Sequence, residues 1–118
     1  MFNFRKFGQS FKVALNGLKI ALSEEQSLKI QLVIGVLVIF LMFYFPLSIL
    51  EKAVLALTII LVLSLELINS QIERILNFLQ PNHDINVKNI KDLSAAAVLT
   101  ACLGSILVGL IIFLPHLL

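Results

Sequence analysis

Three polar residues whose chemistry suits acid–base and metal work lie within an otherwise apolar part of the chain. The segment ELINSQIE places Glu66, Asn69 and Glu73 three and four residues apart. That spacing puts the three side chains on one face of a helix. Carboxylate oxygens are ligands that Mg²⁺ prefers, and a further carboxylate can take a proton from a hydroxyl as a general base. The pattern alone predicts an acidic site and leaves its reaction open.

The composition predicts a membrane protein. Of the 118 residues, 59% are hydrophobic and 14% are charged, whereas ordinary soluble domains have roughly 45–50% and about 25%. A soluble fold of this length could not bury so much apolar surface, so a disordered chain, a disulfide scaffold and a nucleic-acid-binding domain are disfavoured. Residues 1–118 are long enough for one domain only.

Four helices are expected to position the acidic residues. Three apolar stretches are each close to the ~20 residues that cross a bilayer, and they predict transmembrane helices over 28–46, 53–79 and 91–115. Residues 4–22 place phenylalanines and leucines on one helical face and basic residues on the other, which is typical of a helix lying at the membrane interface. The expected fold is therefore all-α: an amphipathic N-terminal helix followed by three transmembrane helices, the second continuing into the cytoplasm.

The distribution of basic residues predicts an orientation. Eight of the nine lysines and arginines precede or open the first span, or lie between the second and third; Lys52 is the exception. The positive-inside rule then places the N-terminus in the cytoplasm, with the 46–52 turn and the C-terminus outside. Counting from Ala53, Glu66 lies about 20 Å along a hydrocarbon core of roughly 30 Å. Ionisable side chains at such depth usually face a bundle interior, so we expect Glu66 to be functional.

The same topology gathers further polar residues in the cytoplasmic half of the bundle. Glu25 precedes the first span, and Lys91 and Asp92 open the third. Carboxylates with an asparagine and a lysine suit Mg²⁺ and phosphate oxygens. The sequence has neither a GxxxxGK[ST] loop nor a GxGxxG turn, which excludes the standard nucleotide-binding folds.

These residues resemble the signatures of the prokaryotic diacylglycerol kinase family, which includes the undecaprenol kinases. ELINSQIE over 66–73 is similar to the family's ExxNxxxE motif, and KDLSAAAV over 91–98 is similar to its KDxxAAAV motif. NGLK over 16–19 and Glu25 also fit the family pattern. The chain departs from it at Asn77, where many relatives carry aspartate, at the 81–84 turn, and at Gln31, which replaces a glutamate of some relatives.

The resemblance implies an integral-membrane homotrimer, with sites between subunits, that transfers the γ-phosphate of ATP to a lipid hydroxyl. It implies that Glu66 is the catalytic base and that Asn69 supports it. It implies a Mg²⁺ ion held by Glu25 and Glu73. It also implies nucleotide contacts from three further residues: Lys6, Lys91 and Asp92.

Three functions remain open. The expected acceptor is diacylglycerol, which would give phosphatidic acid; the alternative is undecaprenol, which would give undecaprenyl phosphate. The third hypothesis is a small non-catalytic oligomeric membrane protein, such as a channel or an adaptor. The expected partners are a membrane lipid and ATP, with no nucleic acid, and the expected location is the cytoplasmic membrane of a bacterial cell.

Overall fold

A computed structural model describes residues 1–79 and 84–118 of the chain. Within these ranges all regular structure is helical: α1 spans Phe4–Glu24, α2 spans Gln26–Tyr44, α3 spans Ile49–Leu79 and α4 spans Ile85–Leu117. Helices α2, α3 and α4 are long and apolar enough to cross a membrane. The predicted all-helical membrane architecture is thus confirmed. Pro81, Asn82 and His83, which the sequence places in a break between helices, lie outside the described residues.

Local capping explains why two helices begin earlier than the apolar stretches predict. Before α3, the Ser48 Oγ accepts the Glu51 N–H at 3.1 Å, and the Glu51 carboxylate accepts the Ser48 N–H at 2.9 Å. This reciprocal capping box starts α3 at Ile49 rather than at residue 53. Before α4, the Asp84 carboxylate accepts the Asn86 N–H at 2.8 Å, so this helix begins at Ile85, six residues before the predicted span.

The buried hydrophobic core lies at the end of the bundle that carries the α2–α3 turn. It consists of Met42, Leu47, Leu55 and Ile112, from α2, the turn, α3 and α4. Around it, the Phe45 and Phe113 rings lie 5.7 Å apart and His116 Nε2 lies 3.8 Å from a Glu51 carboxylate oxygen. Apolar packing therefore fastens the three long helices together at this end, which we call the turn end.

Helix α1 leads directly into α2 at Glu25, whose extended backbone ends one helix and begins the next. Phenylalanines 4, 7 and 11 of α1 are exposed in the single chain. So are most of the large apolar side chains of α2, α3 and α4, which suits helices surrounded by lipid or by further copies of the chain. The placement of α1 at the membrane interface stays a prediction.

Candidate active site

Glu66 is buried on the face of α3 that meets α2. Glu66 is 5% exposed, and its neighbours along the helix, Asn69 and Ser70, are also buried. The amide Nε2 of Gln31, on α2, donates a hydrogen bond to Glu66 Oε2 at 3.4 Å. A buried ionisable group among apolar helices is costly unless its polar atoms find partners. Glu66 has such a partner in Gln31.

A second carboxylate follows on the same face of α3. The Asn69 amide Nδ2 donates to Glu73 Oε1 at 3.4 Å, as the four-residue spacing predicts. Glu25, at the α1–α2 junction, meets the same stretch of α3 through Arg74, the residue after Glu73. The structure therefore brings together the three glutamates that the sequence singles out.

An arginine that the sequence reasoning missed completes this acidic cluster. Arg74 donates to Glu25 Oε1 through Nε at 3.2 Å and through Nη2 at 2.9 Å, and it also pairs with Glu24. The guanidinium is half exposed, so these ion pairs are partly screened by solvent. Arg74 lies 49 residues from Glu25 in the chain, and no local pattern pairs residues so distant.

The three residues expected to contact the nucleotide bond to other partners in the described chain. Lys91 Nζ donates to Asn77 Oδ1 across α3 and α4. Asp92 pairs with Lys88, one turn earlier on its own helix, at 2.8 Å. Lys6 lies in the first turn of α1, where its backbone N–H is capped by Asn3. No hydrogen bond or ion pair within the described residues joins Lys6, Lys91 or Asp92 to the three glutamates.

Two buried acceptor oxygens beside Glu66 have no hydrogen-bond partner among the described residues. They are Oε1 of Gln31 and Oδ1 of Asn69, whose nitrogens donate to Glu66 and Glu73 respectively. Nearly all buried polar atoms in proteins are paired, so such oxygens mark a place where a donor is expected. The polar layer around Glu66 is rich in acceptors and short of donors.

An apolar cavity of about 230 Å³ lies between α2, α3 and α4. Gly35, Ile59 and Phe113 are among its lining residues, and so is Gln31. A second, larger groove of about 560 Å³ runs between α1 and α3, where Glu25 and Arg74 line it. Gln31, the partner of Glu66, thus lines an apolar space, and Glu25 lines a partly polar groove.

Comparison with known proteins assigns the family. Residues 12–113 match the sequence profile described as prokaryotic diacylglycerol kinase. The chain belongs to this family. It is 36% identical over 111 residues to a diacylglycerol kinase of Synechocystis, covering 92% of this chain and 63% of that protein. It is 32% identical over 112 residues to an undecaprenol kinase of Bacillus subtilis, covering 95% of this chain and 91% of that protein.

Membership of the diacylglycerol kinase family and the three long apolar helices agree that this is a membrane protein. The chain spans less than two thirds of the length of its Synechocystis relative. The two relatives bear different names, one a diacylglycerol kinase and one an undecaprenol kinase, at similar identity. Identity at this level does not separate the two acceptors.

The acidic cluster of this family member suits a metal ion that arrives with phosphates. Within 1–79 and 84–118, no three histidine, cysteine, aspartate or glutamate side chains are assembled as a metal cage. Proteins commonly hold Mg²⁺ through one or two carboxylates plus the phosphates of a substrate. Glu25 and Glu73 supply two carboxylates beside Glu66, and that donor set fits this mode of binding.

Proposed function

We propose that this protein is an ATP-dependent lipid kinase that phosphorylates the hydroxyl of diacylglycerol to give phosphatidic acid. The observation that carries the proposal is Glu66, a carboxylate buried on a membrane helix beside two further carboxylates. Placing an ionised side chain within the hydrocarbon core costs up to about 2.5–3.5 kcal/mol, the value that insertion scales give at the bilayer centre. A residue kept at that cost needs a chemical reason, and general-base catalysis supplies one.

In the proposed reaction the lipid hydroxyl oxygen attacks the γ-phosphorus of ATP. The bond from that phosphorus to the bridging oxygen breaks, ADP leaves with the electron pair, and Glu66 accepts the hydroxyl proton. Phosphoryl transfer depends mainly on positioning and charge stabilisation, so a small helical bundle can catalyse it. Asn69, between Glu66 and Glu73 on one helical face, orients the two carboxylates.

Glu25 and Glu73 would hold Mg²⁺, which when bound neutralises phosphate charge. Lys6, Lys91 and Asp92 would contact the nucleotide, in line with the family resemblance. In the described chain these residues make no hydrogen bond or ion pair to the glutamates. A second copy of the chain would supply them in the homotrimer, with each site between subunits, and the exposed apolar faces of the long helices are the surfaces available for that assembly.

The site would open to the cytoplasm of a bacterial cell, because the basic residues concentrate at that end of the chain's helices. ATP reaches such a site from water, while the acceptor lipid stays in the bilayer. The apolar cavity that meets Gln31 suits the hydrocarbon part of a lipid and does not suit a water-soluble acceptor.

A second acceptor, undecaprenol, is favoured by one specific observation. The Bacillus subtilis relative is named for undecaprenol, and its match extends over 91% of that protein. Both lipids present a single hydroxyl at the end of long apolar chains, so one base could serve either.

The experiment is ATP-dependent phosphorylation in mixed micelles with Mg²⁺, offering diacylglycerol and undecaprenol side by side. We expect Glu66→Gln to lower kcat about 10²- to 10⁴-fold, the usual contribution of a general base. The matched control is Glu51→Gln at the turn end of α3, because glutamine preserves a capping box and should leave the rate unchanged. Faster turnover of undecaprenol would reassign the acceptor. No turnover of either lipid by folded protein would favour the hypothesis of a non-catalytic membrane protein.

A further inference from the structure

We propose that Gln31 is a positioning residue for Glu66, one that serves both protonation states of the base. Its amide would hold the carboxylate by donating to it before proton transfer, and would accept the hydrogen bond of the protonated carboxyl afterwards. The inference rests on the proposed function.

The contact itself spans two helices and 35 residues of sequence. Gln31 Nε2 lies 3.4 Å from Glu66 Oε2, and within the described residues this is the hydrogen bond that reaches Glu66 from another helix. Gln31 Oε1 is buried and has no partner there. The amide nitrogen of Gln31 is thus hydrogen-bonded, and within the described residues its oxygen is not.

A general base needs different partners before and after it takes a proton. An ionised carboxylate only accepts hydrogen bonds, whereas a protonated carboxyl also carries an O–H that must be donated. In a site from which water is excluded, the idle Oε1 of Gln31 is an acceptor close to that new O–H. Asn69 Oδ1 is likewise without a partner, but its own amide nitrogen is engaged with Glu73 on the same helix.

Glutamine can exchange the two roles with little movement. Its terminal torsion is broad and roughly two-fold, so a half-turn swaps the nitrogen and the oxygen while the shape of the side chain is kept. The proton that leaves the lipid hydroxyl would then rest on Glu66, with its hydrogen bond accepted by Gln31 Oε1. The charged form and the neutral form of the base are both satisfied by one side chain.

The position of Gln31 in the lining of the apolar cavity gives this role a second basis. Gln31 lines a space whose walls are almost entirely hydrocarbon, and the amide of the same side chain bonds the Glu66 carboxylate. Replacing it with an apolar side chain would leave that carboxylate facing apolar atoms, with neither the donor nor the acceptor.

The test compares Gln31→Met with the wild type in the micelle assay. Methionine keeps the length of the side chain and removes the amide, so we expect kcat to fall about 10- to 100-fold, the worth of a hydrogen bond to a charged group. The KM values for ATP and lipid should stay within about twofold, because ground-state binding is untouched. Gln31→Glu should recover part of the lost rate, since a protonated carboxyl is also both donor and acceptor.

The matched control is Thr100→Val on α4. The Thr100 hydroxyl donates only to the Ala96 carbonyl of its own helix, at 2.8 Å, so this variant removes a polar group from the same bundle and should keep the wild-type rate. Thermal unfolding in detergent checks that each variant is folded. Should the methionine variant not fold, Gln31→Asn withdraws the amide by about one C–C bond, ~1.5 Å, and should show the same fall in kcat.

The outcomes separate this inference from the proposed function. An active wild type with an unchanged kcat in Gln31→Met, or with a change confined to KM, overturns the role of Gln31 alone. A glutamate variant no faster than the methionine variant also overturns it. A wild type inactive on both lipids overturns the proposed function and this inference together.

Discussion

Gly35→Ala tests how closely α2 must lie against α3. A Cβ atom at Gly35 would lie 3.2 Å from Cγ2 of Ile59, and carbon atoms pack at about 3.5–4.0 Å. The contact must therefore open by a few tenths of an ångström, about 0.3 Å. Ile59 is β-branched and held to one strongly preferred rotamer in a helix, so the helices must separate because the side chain cannot turn aside.

The separation would reach the base through Gln31, which lies one helical turn before Gly35. If α2 moves by that amount, the contact between Gln31 Nε2 and Glu66 Oε2 lengthens from 3.4 Å to about 3.7 Å, beyond hydrogen-bonding distance. We therefore expect Gly35→Ala to lower kcat about 10- to 100-fold, as Gln31→Met does. The added methyl group itself lies outside the acidic cluster.

The effect on stability is isolated by making the same substitution at Gly104, where a Cβ meets no atom within 4 Å. Replacing a helical glycine with alanine gains about 1 kcal/mol of helix propensity at either position. Overpacking at Gly35 opposes that gain by about 1–3 kcal/mol. Gly35→Ala should thus be less stable than Gly104→Ala by about 1–3 kcal/mol. The free energy of unfolding is measured by adding dodecyl sulfate to the protein in mixed micelles.

Removing Ile59 Cγ2 supplies the compensating change. Ile59→Ala combined with Gly35→Ala should restore most of the kcat that Gly35→Ala loses, giving a coupling that independent sites do not show. Equal stability and equal kcat in the Gly35 and Gly104 variants would refute the close contact. A loss of stability with full kcat would retain the contact and refute its link to the base.

Two further predictions concern the charged residues. Asn77→Asp should raise the KM for ATP about two- to fivefold with little change in kcat, because an anionic partner would compete with phosphate for Lys91, which is only partly buried. Initial rates over an ATP series check this, and an unchanged or lower KM would contradict it. Glu73→Gln should raise the Mg²⁺ concentration for half-maximal rate at least about tenfold, because losing a metal ligand should lower the metal affinity at least as much as losing one of its outer-shell partners. A Mg²⁺ titration with saturating ATP measures the shift, and an unchanged midpoint would remove Glu73 from the metal site.

Much of the fold could be read from the sequence because hydrophobic length and period are local properties. The three apolar stretches and the one-sided pattern of residues 4–22 each report their own helix, and all four helices are present. The early start of α3 also has a signal in the sequence, because Ser48 and Glu51 form an S-x-x-E capping signature. The apolar pattern alone does not detect it.

The site was less predictable because its contacts join distant residues. The spacing of Glu66, Asn69 and Glu73 predicts a shared helical face, which the structure has. In contrast, the contact of Gln31 with Glu66 depends on how far apart α2 and α3 pack, and sequence spacing carries no information about that distance. The pairing of Arg74 with Glu25 has the same origin.

Because the hydrophobic core lies at the turn end, the contact between Gln31 and Glu66 is sensitive to the angle between α2 and α3. Glu66 follows the core residue Leu55 by eleven positions on α3, a lever arm of about 16 Å. Over that length a relative tilt of only about 2° between α2 and α3 displaces Gln31 from Glu66 by roughly 0.5 Å. Transmembrane helices tilt to match the thickness of the surrounding bilayer. Membrane thickness thus becomes one of the dimensions of the site, because the same lipids that surround the helices set the angle at which the amide meets the base.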